Sequence, residues 1–294
     1  MTNEAALTKD KIEDVLKGIS IPSPPQIIAD LQMEMASSEP DINEISNLIS
    51  KDPSLAGSVL KTVNSPYYGD RGIDSISKAV MLLGKDTISN IVNTVYLRDS
   101  LILQQDISDE VINAMSIFWD SAIDVARACR FVAQRIHFSD SNMAYMLGLF
   151  HNAGIPLLML RYSDYLCVVA QSYHMEEPNT VDAENKCFKT NHAEVSSYAA
   201  RTWKLPEILC RVIEKHHNVT EIFSDNDETN PDEKYFLAIL KLGEYLAVHT
   251  KLMNEHNNDL EWQQVGDQIL EYLSLDKLDY EDLLEYTVDN GIGG

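Results

Sequence analysis

The 294-residue sequence predicts an all-α fold, a multi-helix bundle of roughly a dozen helices. Three observations carry this. Apolar residues recur at spacings of three and four in nearly every segment. Capping residues and Pro or Gly breakers fall between those segments. No stretch alternates apolar and polar residues over the length of a strand, and no hairpin turn signal appears.

The elements follow in order. Residues 1–20 are expected to form a lead-in helix. In "DINEISNLISKDPSL", Asp41 is placed to cap a helix, with Glu44 as its reciprocal partner and Ile42, Ile45, Leu48 and Ile49 as the apolar face. Asp52-Pro53 restarts a helix, since proline at the first helical position gives up no hydrogen bond; Leu55, Ala56, Val59, Leu60 and Val63 form its inner face. "NSPYYGDRG" breaks the chain. A short helix around Ile76, Ala79, Val80 and Leu83 is stopped by Gly84, and Asp86 caps the next, with Ile88, Ile91, Val92 and Val95 inside. Phe118, Ala122, Val125, Cys129, Val132 and Ile136 share one face of a long helix. "SNMAYMLGLFHNAG" is apolar nearly all round, the mark of a buried helix. "NHAEVSSYAARTWKLP" is helical to Trp203, and Pro206 opens a helix running to His216. Residues 220–232 read as an acidic loop, and "EKYFLAILKLGEYLAVH" as an amphipathic helix. Two last helices centre on Trp262, Val265, Ile269 and Leu273, then on Leu283 and Leu284. Trp119 and Trp203 are expected in the core.

The formal net charge of −23 excludes most of the surface as a site for nucleic acid. Residues 254–294 hold eleven Asp or Glu against one Lys, and their apolar stripe predicts an acidic tail, 251–294, folded back onto the body. No stretch is expected to reach the length of a membrane span, and the polar start is no signal peptide. Cys129, Cys167, Cys187 and Cys210 form no CxxC and read as buried free thiols. The expected setting is the cytoplasm.

Chemistry in this chain concentrates in histidine. His151, His192, His216 and His217 lie on helices or at their ends, while His137, His174, His249 and His256 sit in polar surroundings. Helices of a bundle can bring distant side chains into one site. A di-metal centre needs anionic carboxylates as well as imidazoles, because a bridging carboxylate offsets the charge of two cations. The residue after His151 is Asn152, a poor bridge. The plain alternative is that these histidines are core or groove residues satisfied by backbone and water.

"IPSPPQIIADLQ", "ISNLISKDPSLAGSVLKTVNSPYYG" and "IDSISKAVMLLGKDTISNIV" closely resemble the HDOD family, the HD-related output domains of bacterial signalling proteins. Trp119, "GLFHNAG", Glu184, "NHAEV", "WKLP" and "EKHHN" follow in the family's order, so the resemblance runs from about Ile21 to His217 and more faintly to residue 249. It implies an HDOD domain over 21–250, its N-terminal helical part, to about 108, packed on an HD-like half from about 109. It also implies the positions of a degenerate HD site. Ser121 stands for the first histidine, His151-Asn152 for the His-Asp pair, His192 and His216-His217 for later histidines, and Glu244 for the final aspartate. No catalytic residue and no metal are therefore expected; a weakly held divalent ion would fall to His151, His192, His216 and Glu244. The expected role is a non-catalytic signalling output module that binds a partner protein, with a small ligand in the groove as a further option. Neither nucleic acid nor a membrane is expected as partner. The alternatives are a metal-dependent phosphohydrolase and a second-messenger binder. Asn64, Ser65, Tyr67 and Tyr68 mark a candidate interaction loop, read otherwise as helix caps and packed aromatics.

Overall fold

The computed structural model describes residues 26–69, 72–102, 108–172, 180–202, 205–224, 229–251 and 260–292. The expected lead-in helix over 1–20, Trp203, His174 and His256, and the side chain of His249 lie outside the described residues and side chains. All described secondary structure is helical. The chain divides into two compact units, Pro22–Gln105 and Asp106–Gly294.

The first unit holds α1 (Gln26–Met35), α2 (Ile42–Ser50), α3 (Pro53–Val63), a 3-10 turn (Pro66–Tyr68) and α4 (Ile76–Ile102). Its core is aliphatic, with Leu31, Ile49, Leu55, Val59, Ile88 and Val92 fully buried. Asp41 caps α2 by accepting the Asn43 amide. The Asp41 amide, however, donates to Glu34 Oε1 on α1 at 2.8 Å, so Glu34 fills the role expected of Glu44. Asp52 Oδ1 accepts the Leu55 amide at the start of α3. Gly84 leaves helical geometry at φ 75°, ψ 163°, kinking α4 where the sequence predicts a stop. Only a residue without Cβ takes that φ at no cost.

Asn64 ends α3, its amide bonded to the Leu60 carbonyl, but its side chain caps nothing. Its Nδ2 donates to the Ile73 carbonyl at 2.7 Å, and its Oδ1 accepts the Ile73 amide at 2.6 Å. This clasp closes the loop that carries the two tyrosines. Ser65 precedes the 3-10 turn without a side-chain capping bond. Tyr68 packs on the unit's core, but Tyr67 is 47% exposed, contrary to the packing expected of it. Val63, Pro66, Tyr67, Tyr68, Gly69 and Leu82 line a surface cavity of about 430 Å³.

The second unit holds α5 (Asp109–Arg135), α6 (Ser141–Phe150), α7 (Gly154–Arg161), α8 (Tyr165–Ser172), α9 (Thr180–Phe188), α10 (His192–Thr202), α11 (Glu207–Lys215), the one-turn α12 (Val219–Ile222), α13 (Pro231–Lys251), α14 (Leu260–Tyr272) and α15 (Lys277–Asp289). The described residues hold slightly more helices than the rough dozen expected, in part because a turn at 151–153 splits α6 from α7 and α12 interrupts the acidic loop. By length and composition Ser141–Arg161 could cross a membrane, against expectation; 67% of its apolar window is buried inside the unit.

Close helix crossings explain the glycines of "GLFHNAGI". A Cβ on Gly148 would stand 2.8 Å from Ala126 Cα on α5. A Cβ on Gly154 would stand 2.8 Å from Ser196 N on α10 and closer still to the His192 carbonyl. A Cβ on Gly243 of α13 would stand 3.1 Å from Cys129 N on α5. These contacts bring α5, α6 and α13 together around Cys129, and α7 onto α10. Trp119, Cys129 and Cys210 are buried, whereas Cys167 and Cys187 are exposed, which corrects the expectation of four buried thiols. Both exposed thiols lie on the short peripheral helices α8 and α9.

The tail packs on its own unit. Val265, Ile269, Leu273 and Leu283 are buried. Trp262 stacks on Tyr245 of α13, and Tyr286 stacks on Phe131 of α5. Arg135 pairs with Asp279, and Arg127 Nη2 donates to the Asn290 carbonyl.

Candidate functional site

Four histidines converge from three places in the chain. His151 ends α6, His192 opens α10, and His216-His217 follow α11 directly. His151, His192 and His216 are buried and His217 stands at the solvent edge. The ring nitrogens of His192, His216 and His217 that face one another lie within 4.8 Å of each other. The His151 and His216 ring centroids are 5.4 Å apart.

Each ring is oriented by a second partner. His216 Nδ1 donates to the Ile213 carbonyl at 2.7 Å, leaving Nε2 as a bare acceptor, fully buried and without a partner. His192 Nδ1 donates to Glu184 Oε2 at 2.7 Å. Glu184 is itself 0% exposed and takes further donors from the His192 amide and the Tyr165 hydroxyl. In the neutral His192 tautomer with its proton on Nδ1, Nε2 accepts and His217 Nε2 donates in their 2.8 Å bond. Burial, then the neighbouring His217, lowers the His216 pKa well below the usual imidazole value. Burial and Lys241 push His217 the same way; the effect is firmer for His216, since His217 has one edge in solvent.

Glu244 is not free to join them. Its Oε1 lies 3.0 Å from His151 Nε2, and its Oε2 lies 3.0 Å from Lys241 Nζ. Lys241 is 4% exposed, and its ammonium also donates to Glu261 Oε2 of α14 at 2.9 Å. Burial alone would raise the Glu244 pKa, but Lys241 and His151 hold it well below the carboxylate range. Lys241 is likewise held above its usual value by Glu244 and Glu261 against the cost of burial. His151 Nδ1 bonds the Gly148 carbonyl at 2.8 Å, so both its nitrogens are engaged by oxygens.

Of the four expected ligands, His192 and His216 stand in one group with His217, while His151 and Glu244 face each other. Among the described residues the convergent group is His192, His216 and His217. His151 and Glu244 are tied to each other and to Lys241. Ser121 is half-buried on α5 and offers a hydroxyl where an imidazole was expected to be lost. Asn152 is half-buried, with a buried Oδ1 that has no partner.

Three neutral imidazoles, one backed by a carboxylate, suit a single divalent transition-metal ion. The bare Nε2 of His216 is the observation that fits. Two nitrogens on one tetrahedral ion keep about 3.3 Å between them, from metal–nitrogen distances of 2.0–2.1 Å. The His192–His217 bond is shorter than that, so an ion would replace the shared proton. Such an ion would supply Lewis acidity toward an oxygen ligand. A second, carboxylate-bridged ion does not fit, because Glu244 is occupied and Asn152 carries no charge.

Sequence reasoning singled out the four histidines and Glu244 but missed Lys241, Glu261 and the roles of Glu184 and Tyr165. A signal existed for Lys241: it is the one charge inside the apolar run "YFLAILKLG", three residues before Glu244.

Residues 21–219 match the HDOD domain family. An uncharacterised protein of Treponema pallidum (strain Nichols) is 28% identical over 222 residues, which is 74% of this chain and 40% of that protein. The match thus covers well under half the length of that relative. A crystal structure of an HDOD domain protein of unknown function from Geobacter sulfurreducens superposes with a TM-score of 0.68 at 21% identity, covering 95% of this chain and 92% of that one. A Shewanella amazonensis protein named provisionally as a phosphohydrolase gives 0.69 at 18% identity, covering 96% of each chain. A Marinobacter aquaeolei protein named provisionally in signal transduction gives 0.68 at 19%, covering 96% of this chain and 63% of that one. At these identities the structures show a shared fold, while the match over residues 21–219 goes further: this chain belongs to the HDOD family.

Proposed function

We propose that the chain is a non-catalytic signalling output module that works by binding a partner protein, with a small ligand or one weakly held divalent ion in its groove. One observation carries this reading: Glu244, the carboxylate a bridged metal pair would require, is saturated by Lys241 and His151. Two-metal hydrolysis depends on stabilising both the attacking and the leaving oxygen, and neither Ser121 nor Asn152 restores a charged ligand. The name of the Marinobacter relative points the same way. The strong negative charge disfavours a nucleic-acid partner.

A phosphohydrolase is the second reading, favoured by the retained histidines and the name of the Shewanella relative. Protein loaded with Mn²⁺, Fe²⁺ or Zn²⁺ and assayed on bis(p-nitrophenyl) phosphate separates the two. Rates at background are expected. Metal-dependent turnover abolished by His151→Ala would sink the non-catalytic reading.

A further inference from the structure

We propose that the Lys241 ammonium replaces one metal cation of the groove, so that the site takes a single divalent transition-metal ion on His192, His216 and His217 and none bridged by Glu244. The inference deepens the reading above by naming the ligand class of the same groove. Lys241 lies one helical turn before Glu244 on α13, on the same face. Its Nζ sits 3.0 Å from Glu244 Oε2, and the other Glu244 oxygen holds His151. The ammonium thus neutralises this carboxylate, while His151 is turned to it and to the Gly148 carbonyl. The remaining imidazoles keep one bare acceptor, His216 Nε2, and one acceptor engaged only by a neighbouring ring, His192 Nε2.

Charge supports the same count. Glu184, Glu244 and Glu261 stand against Lys241 within this cluster. These four side chains carry a surplus of two negative charges, which one divalent ion offsets. Two would leave a buried excess of positive charge, which a low-dielectric site opposes. Imidazole ligands without thiolates suit zinc, nickel, copper or iron.

The test is equilibrium dialysis with Zn²⁺ after chelator treatment, with metal content read by mass spectrometry, and Co²⁺ absorption as the spectroscopic readout. The full chain is expected to retain one ion. His216→Ala should weaken binding tenfold or more. Glu244→Gln should keep one ion and an unchanged Co²⁺ spectrum, because Glu244 is not a ligand, while the loss of its charge weakens affinity. Lys241→Met should admit a second ion, lost again in Lys241→Met/Glu244→Gln. An altered Co²⁺ spectrum in Glu244→Gln, two ions on the parent protein, or no ion at 0.1 mM (about a hundredfold above a micromolar Kd) would each overturn the proposal. Should Lys241→Met fail to fold, the Glu244→Gln arm still decides. Absence of zinc binding leaves the non-catalytic reading standing, whereas hydrolytic turnover overturns that reading and not this one.

Discussion

Gly154→Ala tests how tightly the groove depends on one helix crossing. Gly154 opens α7, and its amide donates to Ser196 Oγ of α10 at 2.7 Å. The new Cβ would meet Ser196 N at 2.8 Å and the His192 carbonyl closer still, so main chain rather than a flexible side-chain tip is in the way. Relief requires α7 and α10 to separate by about an ångström, since ordinary C···O contacts begin near 3.3 Å. Overpacking of this kind costs about 3 kcal/mol at the upper end of its range, and the strained Gly154–Ser196 bond adds about 1 kcal/mol. At roughly 2–4 °C per kcal/mol, Tm should fall by about 10 °C. The three tryptophans, Trp119, Trp203 and Trp262, all lie beyond residue 106, so fluorescence reports unfolding of the second unit. His192 rides on the displaced helix, so Zn²⁺ affinity should drop as well. Adding Ser196→Ala removes only the hydroxyl contact and should not rescue the fold. A Tm within about 2 °C of the parent, or full rescue by Ser196→Ala, would refute the main-chain argument.

Gly57→Ala is the opposite case: a Cβ there meets nothing within 4 Å, so the substitution should stabilise the first unit by about 0.4–1 kcal/mol in urea titrations followed by far-UV circular dichroism. Asn64→Ala should cost about 1–3 kcal/mol by loss of both bonds to Ile73, and Asn64→Asp should not restore them, because its carboxylate would face the Ile73 carbonyl; equal stability of all three would refute the clasp. Stability of the metal-free protein should be full above about pH 6.5 and fall on acidification by up to about 1.4 kcal/mol per pH unit for His216. The sign follows because the folded pKa is depressed, so the unfolded state binds the extra proton. Glu244, also depressed, adds a further loss below about pH 4.3. A slope between pH 6.5 and 5 that His216→Leu leaves unchanged would exclude His216 as its source. Deleting 254–294 strips away the buried Val265, Ile269, Leu273 and Leu283 and should lower Tm by about 10 °C or more; unchanged Tm would mean that the tail contributes nothing to the fold.

The helices were legible because their signals are local. Asp41, Asp52 and Gly84 act within a few residues of themselves, and the structure places a cap, a cap and a kink there. Where a partner comes from a distant segment, the sequence misleads: Glu44 has the right spacing to pair with Asp41, yet Glu34 on the preceding helix reaches it first. The site divides in the same way. His192, His216 and His217 could be nominated by residue type, and they converge. Glu244 could be nominated too, but its availability depends on Lys241 one turn earlier and on Glu261 across another helix, which no local pattern encodes. Tyr67 shows the limit for aromatics, since ring size favours burial while the 3-10 turn leaves this one in solvent.

The Lys241–Glu261 pair also bears on how the molecule is made. Synthesis proceeds from the N-terminus, so α13 emerges from the ribosome before α14. Until Glu261 arrives, the buried ammonium has Glu244 as its one carboxylate, and an under-compensated charge in a closing core is unfavourable. Arg127 waits longer still, for the carbonyls of Asn290 and Gly291. The groove therefore reaches its final electrostatic state only after Glu261 has emerged, and a chain arrested before residue 260 would hold its histidines in an immature setting.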